Sequence, residues 1–323
     1  MTAVIPAARS GSTVRAFVYY FIGVFSFSVV DAATKLLRGD PGTVTRWVPG
    51  NFDLGTWQVI LLTRIPPLCV ALVLTAQATG SPFRLATGFW KMHLLRGLLV
   101  LATTFTFYAG LRYLPLADCI VIAFAAPIFV TALSGPLLGE RVGWRRWSAV
   151  AVGFAGVVVA VRPDGSVGIG TFLILASAVA YALTLLTLRP LSGKEHSHNI
   201  LFYSTVFGLV VAIVPAALEW KPISLTAAAL IVVQGLASAC GQLTMIKAFR
   251  IGEASMLAPL EFTALIWAAA CGLAFWGDFP TLEVLAGAAL IIGANVYIAH
   301  REARLAQRKR ELPPVPEHAS VPE

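Results

Sequence analysis

Ten runs of about twenty apolar residues fill this chain, and each is long enough to cross the hydrocarbon of a bilayer as a helix. They lie at approximately 14–37, 56–76, 92–111, 116–138, 146–161, 169–188, 199–218, 225–247, 255–276 and 282–299. The runs are continuously apolar, whereas the strands of a membrane barrel alternate over roughly ten residues. Of the 323 residues 58% are hydrophobic and 12% charged, about half the charged share of an ordinary soluble domain. The expected fold class is therefore an all-α integral membrane protein of ten transmembrane helices, with no room for a soluble domain. Residues 1–13 hold no compact apolar stretch with a small-residue cleavage site, so the first run reads as a permanent anchor and 1–13 as a cytoplasmic N-terminal segment.

A net charge of +8 invites a nucleic-acid reading, but the positions of the 24 Lys and Arg argue for topology instead. With the N-terminus in the cytoplasm, seventeen fall in inner segments and six in outer ones, and Arg64 lies within the second run. That bias places both termini inside, and no nucleic-acid partner is expected. Residues 301–323 are expected to be a basic, disordered cytoplasmic tail, in which REARLAQRKR faces anionic lipid. The four cysteines lie in or at the edges of apolar runs without paired spacing, and the five histidines form no constellation. Neither a metal site nor a cofactor is expected.

The chain resembles itself at an offset of about 138 residues: Arg112 matches Arg250, Phe124 matches Phe262, and Gly139-Glu140 matches Gly277-Asp278. Each half holds five runs, an odd number, so the second half enters the membrane from the opposite side. Inverted repeats of this kind underlie many secondary transporters, whose substrate sites lie near the midplane between the halves. The stretch LRYLPLADCIVIAFAAPIFVTALSGPLLGERVGWRRW and its counterpart FRIGEASMLAPLEFTALIWAAACGLAFWGDFPTLEVLAGAALIIGANVYIA resemble the EamA repeat of the drug/metabolite transporter superfamily. The resemblance implies a ten-helix carrier with repeats at 14–161 and 169–300, a cavity built from helices one to four and six to nine, and helices five and ten at the periphery. The link RGDPGTVTRWVPGNFDLG is longer than the turn usual in that family, and a lid or an added outer contact is expected there.

Glu261 is the one carboxylate in the apolar run Ser255–Trp276, at a cost of roughly 2.5–3.5 kcal/mol on insertion scales. It stands either as a cavity-facing functional group or as a structural one, with Lys247 as the obvious partner. Gln234, Ser238 and Gln242 form one polar stripe at i, i+4 and i+8, and Ser177, Tyr181 and Thr184 form another. Thr104 and Tyr108 pair at i, i+4. Each set serves either a ligand or interhelical packing. Asp31 and Lys35 stand in the order that favours an ion pair, with an Asp31–Arg64 bridge as the competing assignment, and either reads as an outer gate. Pro127, Pro215 and Pro259 are placed to break or kink helices.

The expected function is a secondary transporter of a small organic metabolite working by alternating access, with Glu261 taking a cation or a proton. The Ala-Pro-Leu-Glu-Phe run at 258–262 resembles the subset of the superfamily that includes S-adenosylmethionine carriers, and relatives also carry riboflavin. A cationic or aromatic substrate such as either of these suits a carboxylate beside aromatic faces. The alternatives are an intramembrane enzyme, which lacks the clustered acids and bases such chemistry needs, and a lipid flippase. Partners are the bilayer and the metabolite, with the chain a monomer or a homodimer.

Overall fold

The computed structural model describes residues 10–39, 52–81, 87–138, 144–161, 168–192, 197–251 and 260–311. Among these the chain is entirely helical: α1 Ser10–Arg38, α2 Thr56–Thr79, α3 Trp90–Gly110, α4 Leu116–Ala123, α5 Ala126–Leu138, α6 Trp144–Val161, α7 Ile169–Ser192, α8 Ser197–Leu218, α9 Leu225–Ile251, α10 Thr263–Cys271 and α11 Leu282–Glu311. Helix α10 runs on through a π-helical turn, Gly272–Trp276, and stops at Gly277 in the left-handed conformation. Seven helical segments of the described residues have the length and apolar character needed to cross a membrane. Three shorter apolar ones accompany them at Trp147–Ala160, Thr263–Trp276 and Leu282–Tyr297.

Two of the expected runs are broken. The fourth divides at Phe124–Ala125, where Pro127 supplies no N–H to the carbonyl four residues back and its ring crowds that carbonyl. The Phe124 carbonyl, which the Ile128 N–H leaves for Ala125 O, accepts instead from Asn295 Nδ2 of α11, at 3.1 Å. The second break lies at Phe262, directly after Glu261, and the Thr263 hydroxyl caps the Leu260 carbonyl at 2.6 Å. The rings of Phe124 and Phe262 meet edge to face with centroids 5.4 Å apart. Pro259, the residue expected to loosen this turn, lies outside the described residues. The last helix continues through Glu311, into the basic stretch that follows the tenth apolar run.

Helices pack in the pairs α1·α9, α3·α7, α2·α8 and α6·α11, with α2·α9, α3·α8, α1·α10, α4·α10, α4·α7 and α5·α7 closing the bundle. Glycines set several of these approaches. A Cβ at Gly235 would stand 2.4 Å from Pro66 Cγ, and one at Gly97 2.7 Å from Phe207 Cβ. The α6·α11 crossing is the tightest backbone approach: a Cβ at Gly287 would lie 2.6 Å from the Gly156 carbonyl oxygen, and one at Gly156 2.9 Å from the Gly287 oxygen.

Val at position 287 therefore overpacks backbone that has nowhere to move, at about 1–3 kcal/mol. Gly293, on the same helix, has open space around its Cβ direction. Thermal melts in detergent should show Gly287→Val melting well below wild type and Gly293→Ala melting level with it or above. Equal melting of Gly287→Val and wild type would refute the close crossing.

Candidate functional site

Seven residues separate Asp31 from the end of α1, eight separate Arg64 from the start of α2, six separate Thr104 from the end of α3, and nine separate Gln234 from the start of α9. These ends meet on one face, because Leu54 N donates to Leu37 O at 3.1 Å and Lys221 and Arg112 both reach Asp53. At 1.5 Å per residue the four side chains occupy one layer about 9–14 Å below that face. Arg64 Nη2 donates to Thr104 Oγ1 at 2.7 Å. Gln234 Nε2 donates to Thr34 Oγ1 at 2.7 Å and to the Tyr108 hydroxyl at 3.3 Å. The charges of Asp31 and Arg64 both lie within electrostatic range of that hydroxyl.

The two cations weighed as partners of Asp31 make hydrogen bonds to other elements. Lys35 is buried, donates to the Leu114 carbonyl at 2.6 Å, and stands 5.2 Å from the ring centroid of Trp276. Arg64 reaches Thr104.

Glu261 belongs to a second layer toward the opposite face. Its carboxylate lies within electrostatic range of Tyr20 on α1 and Tyr181 on α7, and Tyr181 lies within range of Arg96 on α3. Arg96 Nη1 is fixed on the Thr184 carbonyl at 2.7 Å. Lys247, the expected structural partner of Glu261, lies instead over the Tyr19 ring at 5.7 Å. Glu261 keeps accessible surface, and so does Tyr181, at 42%. Nearby, Trp267 makes edge contacts with Phe21 and Phe25, at 5.6 and 4.7 Å. A carboxylate, two phenols and an aromatic cluster make a place where a cation or a flat ring can be held.

The remaining expected residues separate. Ser177 is buried, Thr184 bonds its own helix at Ala180 O, and Ser238 is half-buried. The side chain of Gln242 lies outside the described residues. His93, expected at an inner edge, is fully buried on α3 with its ring 4.7 Å from that of Tyr203.

Sequence reasoning passed over a third cluster, on the face where α1 ends. Helix α2 begins at Gly55, which offers no side-chain cap. Glu219, at the end of α8, caps it from outside: its Oε1 accepts from the backbone N–H of Trp57 and, at 3.3 Å, of Gln58. The negative carboxylate there also meets the positive end of the helix dipole. A Cβ at position 55 would meet that carboxylate, so the close approach of Glu219 as it stands suits a glycine there. Gln58 exchanges two hydrogen bonds with the Lys221 backbone, at 2.8 and 3.1 Å. Asp53 takes Lys221 at 2.6 Å and Arg112 at 3.2 Å. The described end of the long first link is thus clasped to the α8–α9 link.

A model of the EamA-like transporter family matches residues 14–162 and 168–299. The S-adenosylmethionine uptake transporter of Rickettsia prowazekii is 30% identical over 239 residues, 73% of this chain and 78% of that protein. A riboflavin transporter of Vibrio cholerae is 26% identical over 277 residues, 84% of this chain and 91% of that one. A solved crystal structure at 17% identity superposes with a TM-score of 0.57 over 92% of this chain and 99% of its own, a likeness of fold.

The clasp carries a pH signature. The hydrogen bond from Lys221, with the Arg112 and Lys221 charges behind it, holds the Asp53 carboxyl below its ordinary value against the opposing effect of partial burial. A carboxylate depressed in the folded state stabilises it above the unfolded value and loses that contribution as pH falls through the folded one. Melting temperature should therefore drop as pH is lowered below about 4, and Asp53→Asn should lose less over the same interval. Parallel pH profiles for the two proteins would count against the clasp.

Proposed function

The chain belongs to the EamA-like transporter family, and from that membership we propose that it is a secondary carrier moving a small organic metabolite across the bacterial inner membrane by alternating access. Its family is one of transporters and not of enzymes. In this reading ten spans form two inverted five-helix repeats, α4 with α5 making the fourth span, and both termini face the cytoplasm. Glu261 is the carboxylate that takes a cationic group of the substrate or the coupling proton.

The packing pairs support the repeat. Exchanging α1 with α7, α2 with α8, α3 with α9, α4–α5 with α10 and α6 with α11 turns α1·α9 into α3·α7. It turns α2·α9 into α3·α8, and α1·α10 into the contacts of α7 with α4 and α5. The pairs α2·α8, α6·α11 and α4·α10 return to themselves, as pairs lying on a two-fold axis must. The two broken helices fit the same exchange, since their equivalent residues Phe124 and Phe262 touch. Broken helices at the repeat interface are a recurring site of substrate binding in such carriers.

The observation that carries the role of Glu261 is its position: it ends a helical turn at a break, keeps accessible surface, and faces two phenols without a cationic partner among the described residues. An unneutralised carboxylate inside a bundle is costly unless a ligand or proton satisfies it. The relatives transport S-adenosylmethionine and riboflavin, and a carboxylate beside aromatic rings suits the cationic and ring-bearing parts of such molecules.

Counterflow in proteoliposomes with labelled S-adenosylmethionine and riboflavin tests this. Glu261→Gln should reduce exchange at least about tenfold, the scale of one lost charged contact, while its melting temperature stays at or above that of wild type. Wild-type exchange by a folded Gln variant would remove Glu261 from the mechanism.

A further inference from the structure

Residues 39–55 join α1 to α2, whereas only residues 193–196 join α7 to α8, the corresponding helices of the second repeat. The described end of the longer link, 52–55, crosses the face where α1 ends and is anchored on two sides. Its bonds to the first repeat are Leu54 N to Leu37 O at 3.1 Å, Arg38 Nη1 to Leu54 O at 2.9 Å, and Arg112 to Asp53 at 3.2 Å. The bonds that cross to the second repeat go to the α8–α9 link. Lys221 Nζ meets Asp53 Oδ2 at 2.6 Å, Gln58 and the Lys221 backbone exchange two hydrogen bonds, and Glu219 accepts from the N–H groups of Trp57 and Gln58. Between these anchors Phe52 and Leu54 are buried, in one apolar cluster with Leu37, Leu116 and Cys119. Below them Lys35 is buried between the Leu114 carbonyl and the Trp276 ring. The layer toward the opposite face differs, since Glu261 and Tyr181 keep accessible surface there.

Resting on the carrier reading above, we propose that residues 52–55 are a lid, with Phe52 and Leu54 as its plug and the Asp53–Lys221 pair as its latch. The structure holds this face closed, and opening it releases the lid from the α8–α9 link while the lid stays with the first repeat. Rocking one repeat against the other must break the bonds that cross between them and can leave bonds within a repeat intact. The two sets of anchors divide along that line. The latch also has the strength a reversible closure needs. The side chains of Lys221 and Asp53 are 47% and 45% exposed, and an ion pair so placed contributes little by itself. Water is excluded by the plug, and the latch only decides when the plug is seated. Glu219 and Gln58 set the position in which it seats, because they engage backbone groups of α2 and of the α8–α9 link in one register. The link at 193–196 is too short for an equivalent insertion on the other face. The lid therefore biases a nearly balanced pair of states toward closure on the face where α1 ends.

Cys119, fully buried in the cluster that the plug completes, is a native reporter, because a buried thiol is alkylated only when its cover opens. Full-length protein in nanodiscs is treated with N-ethylmaleimide well below its melting temperature, and peptide mass spectrometry reads each cysteine separately. Asp53→Asn and Lys221→Gln should each raise the Cys119 rate about two- to fivefold, the population change that one exposed ion pair commands. Phe52→Ala should raise it at least as much with the charges intact. Cys69, exposed on α2, should react at the wild-type rate throughout. Gly97→Val separates a lid from a general loss of stability, since it overpacks α3 against Phe207 of α8. It should melt below the latch variants and leave Cys119 at the wild-type rate. Labelling that follows melting temperature across all four variants, or no change in the latch and plug variants, would overturn the lid. Counterflow with S-adenosylmethionine and riboflavin separates the two readings. Exchange in a protein whose Cys119 ignores the latch removes the lid and keeps the carrier. Latch-dependent labelling in a protein that exchanges neither compound counts against the carrier and keeps the lid.

Discussion

A charge or a backbone carbonyl inside a bilayer has no water to turn to, and the arrangement of this protein follows from finding each of them something else. The break at Phe124 is tolerable because Asn295 reaches across from α11 to the freed carbonyl. The break at Phe262 is tolerable because Thr263 folds its hydroxyl back onto Leu260. Lys35, the largest fully buried polar side chain, survives by hydrogen-bonding a carbonyl and lying over an indole. Hydroxyl groups along α1, α2 and α3 are satisfied locally by the carbonyl four residues earlier, as at Ser28, Thr34, Thr63 and Thr104. Against that background Glu261 stands apart, exposed beside a helix break and with no cationic partner among the described residues.

Much of this was legible in the sequence because hydropathy reports directly on the solvent a helix meets. The apolar runs, the proline-associated break and the carboxylate in the ninth run all follow from one-dimensional rules. Partner choice does not. Spacing along one helix shows Asp31 beside Lys35 but says nothing of Leu114 and Trp276, which arrive from other elements to meet the ammonium. Lys247 lies near Glu261 in sequence, and Tyr19 of α1 claims it. Gln234 reads equally as ligand contact or packing, and only the positions of Thr34 and Tyr108 show it holding three helices together.

Glu219 illustrates a different limit. A glutamate at the end of α8 looks like an ordinary solvated terminus, and the N-terminus of α2 at Gly55 looks uncapped. The cap exists only because a residue more than 160 positions away is folded against it, and no local pattern encodes that. Asn295 is an intermediate case. An asparagine within IIGANVYIA is conspicuous as a polar group in an apolar run, and the broken fourth run is conspicuous too, but joining them requires knowing that α11 passes α4.

The proposed carrier combines a scaffold whose packing is close to symmetric with charges that are not. Under the exchange of repeats the helix pairs map onto one another, so opening to either side breaks and makes equivalent sets of apolar contacts and the two conformations differ little in packing energy. A two-state equilibrium so balanced responds to small differential interactions, because a ligand shifts it only by the difference in its affinity for the two states. The charged residues supply that difference. Asp31 and Arg64 lie in the first repeat toward the face where α1 ends, and Glu261 lies in the second repeat toward the other. In the proposed carrier a cation or proton that engages Glu261 finds Ala123 at the matching position of the first repeat, and this asymmetry would let a near-symmetric bundle distinguish one side of the membrane from the other.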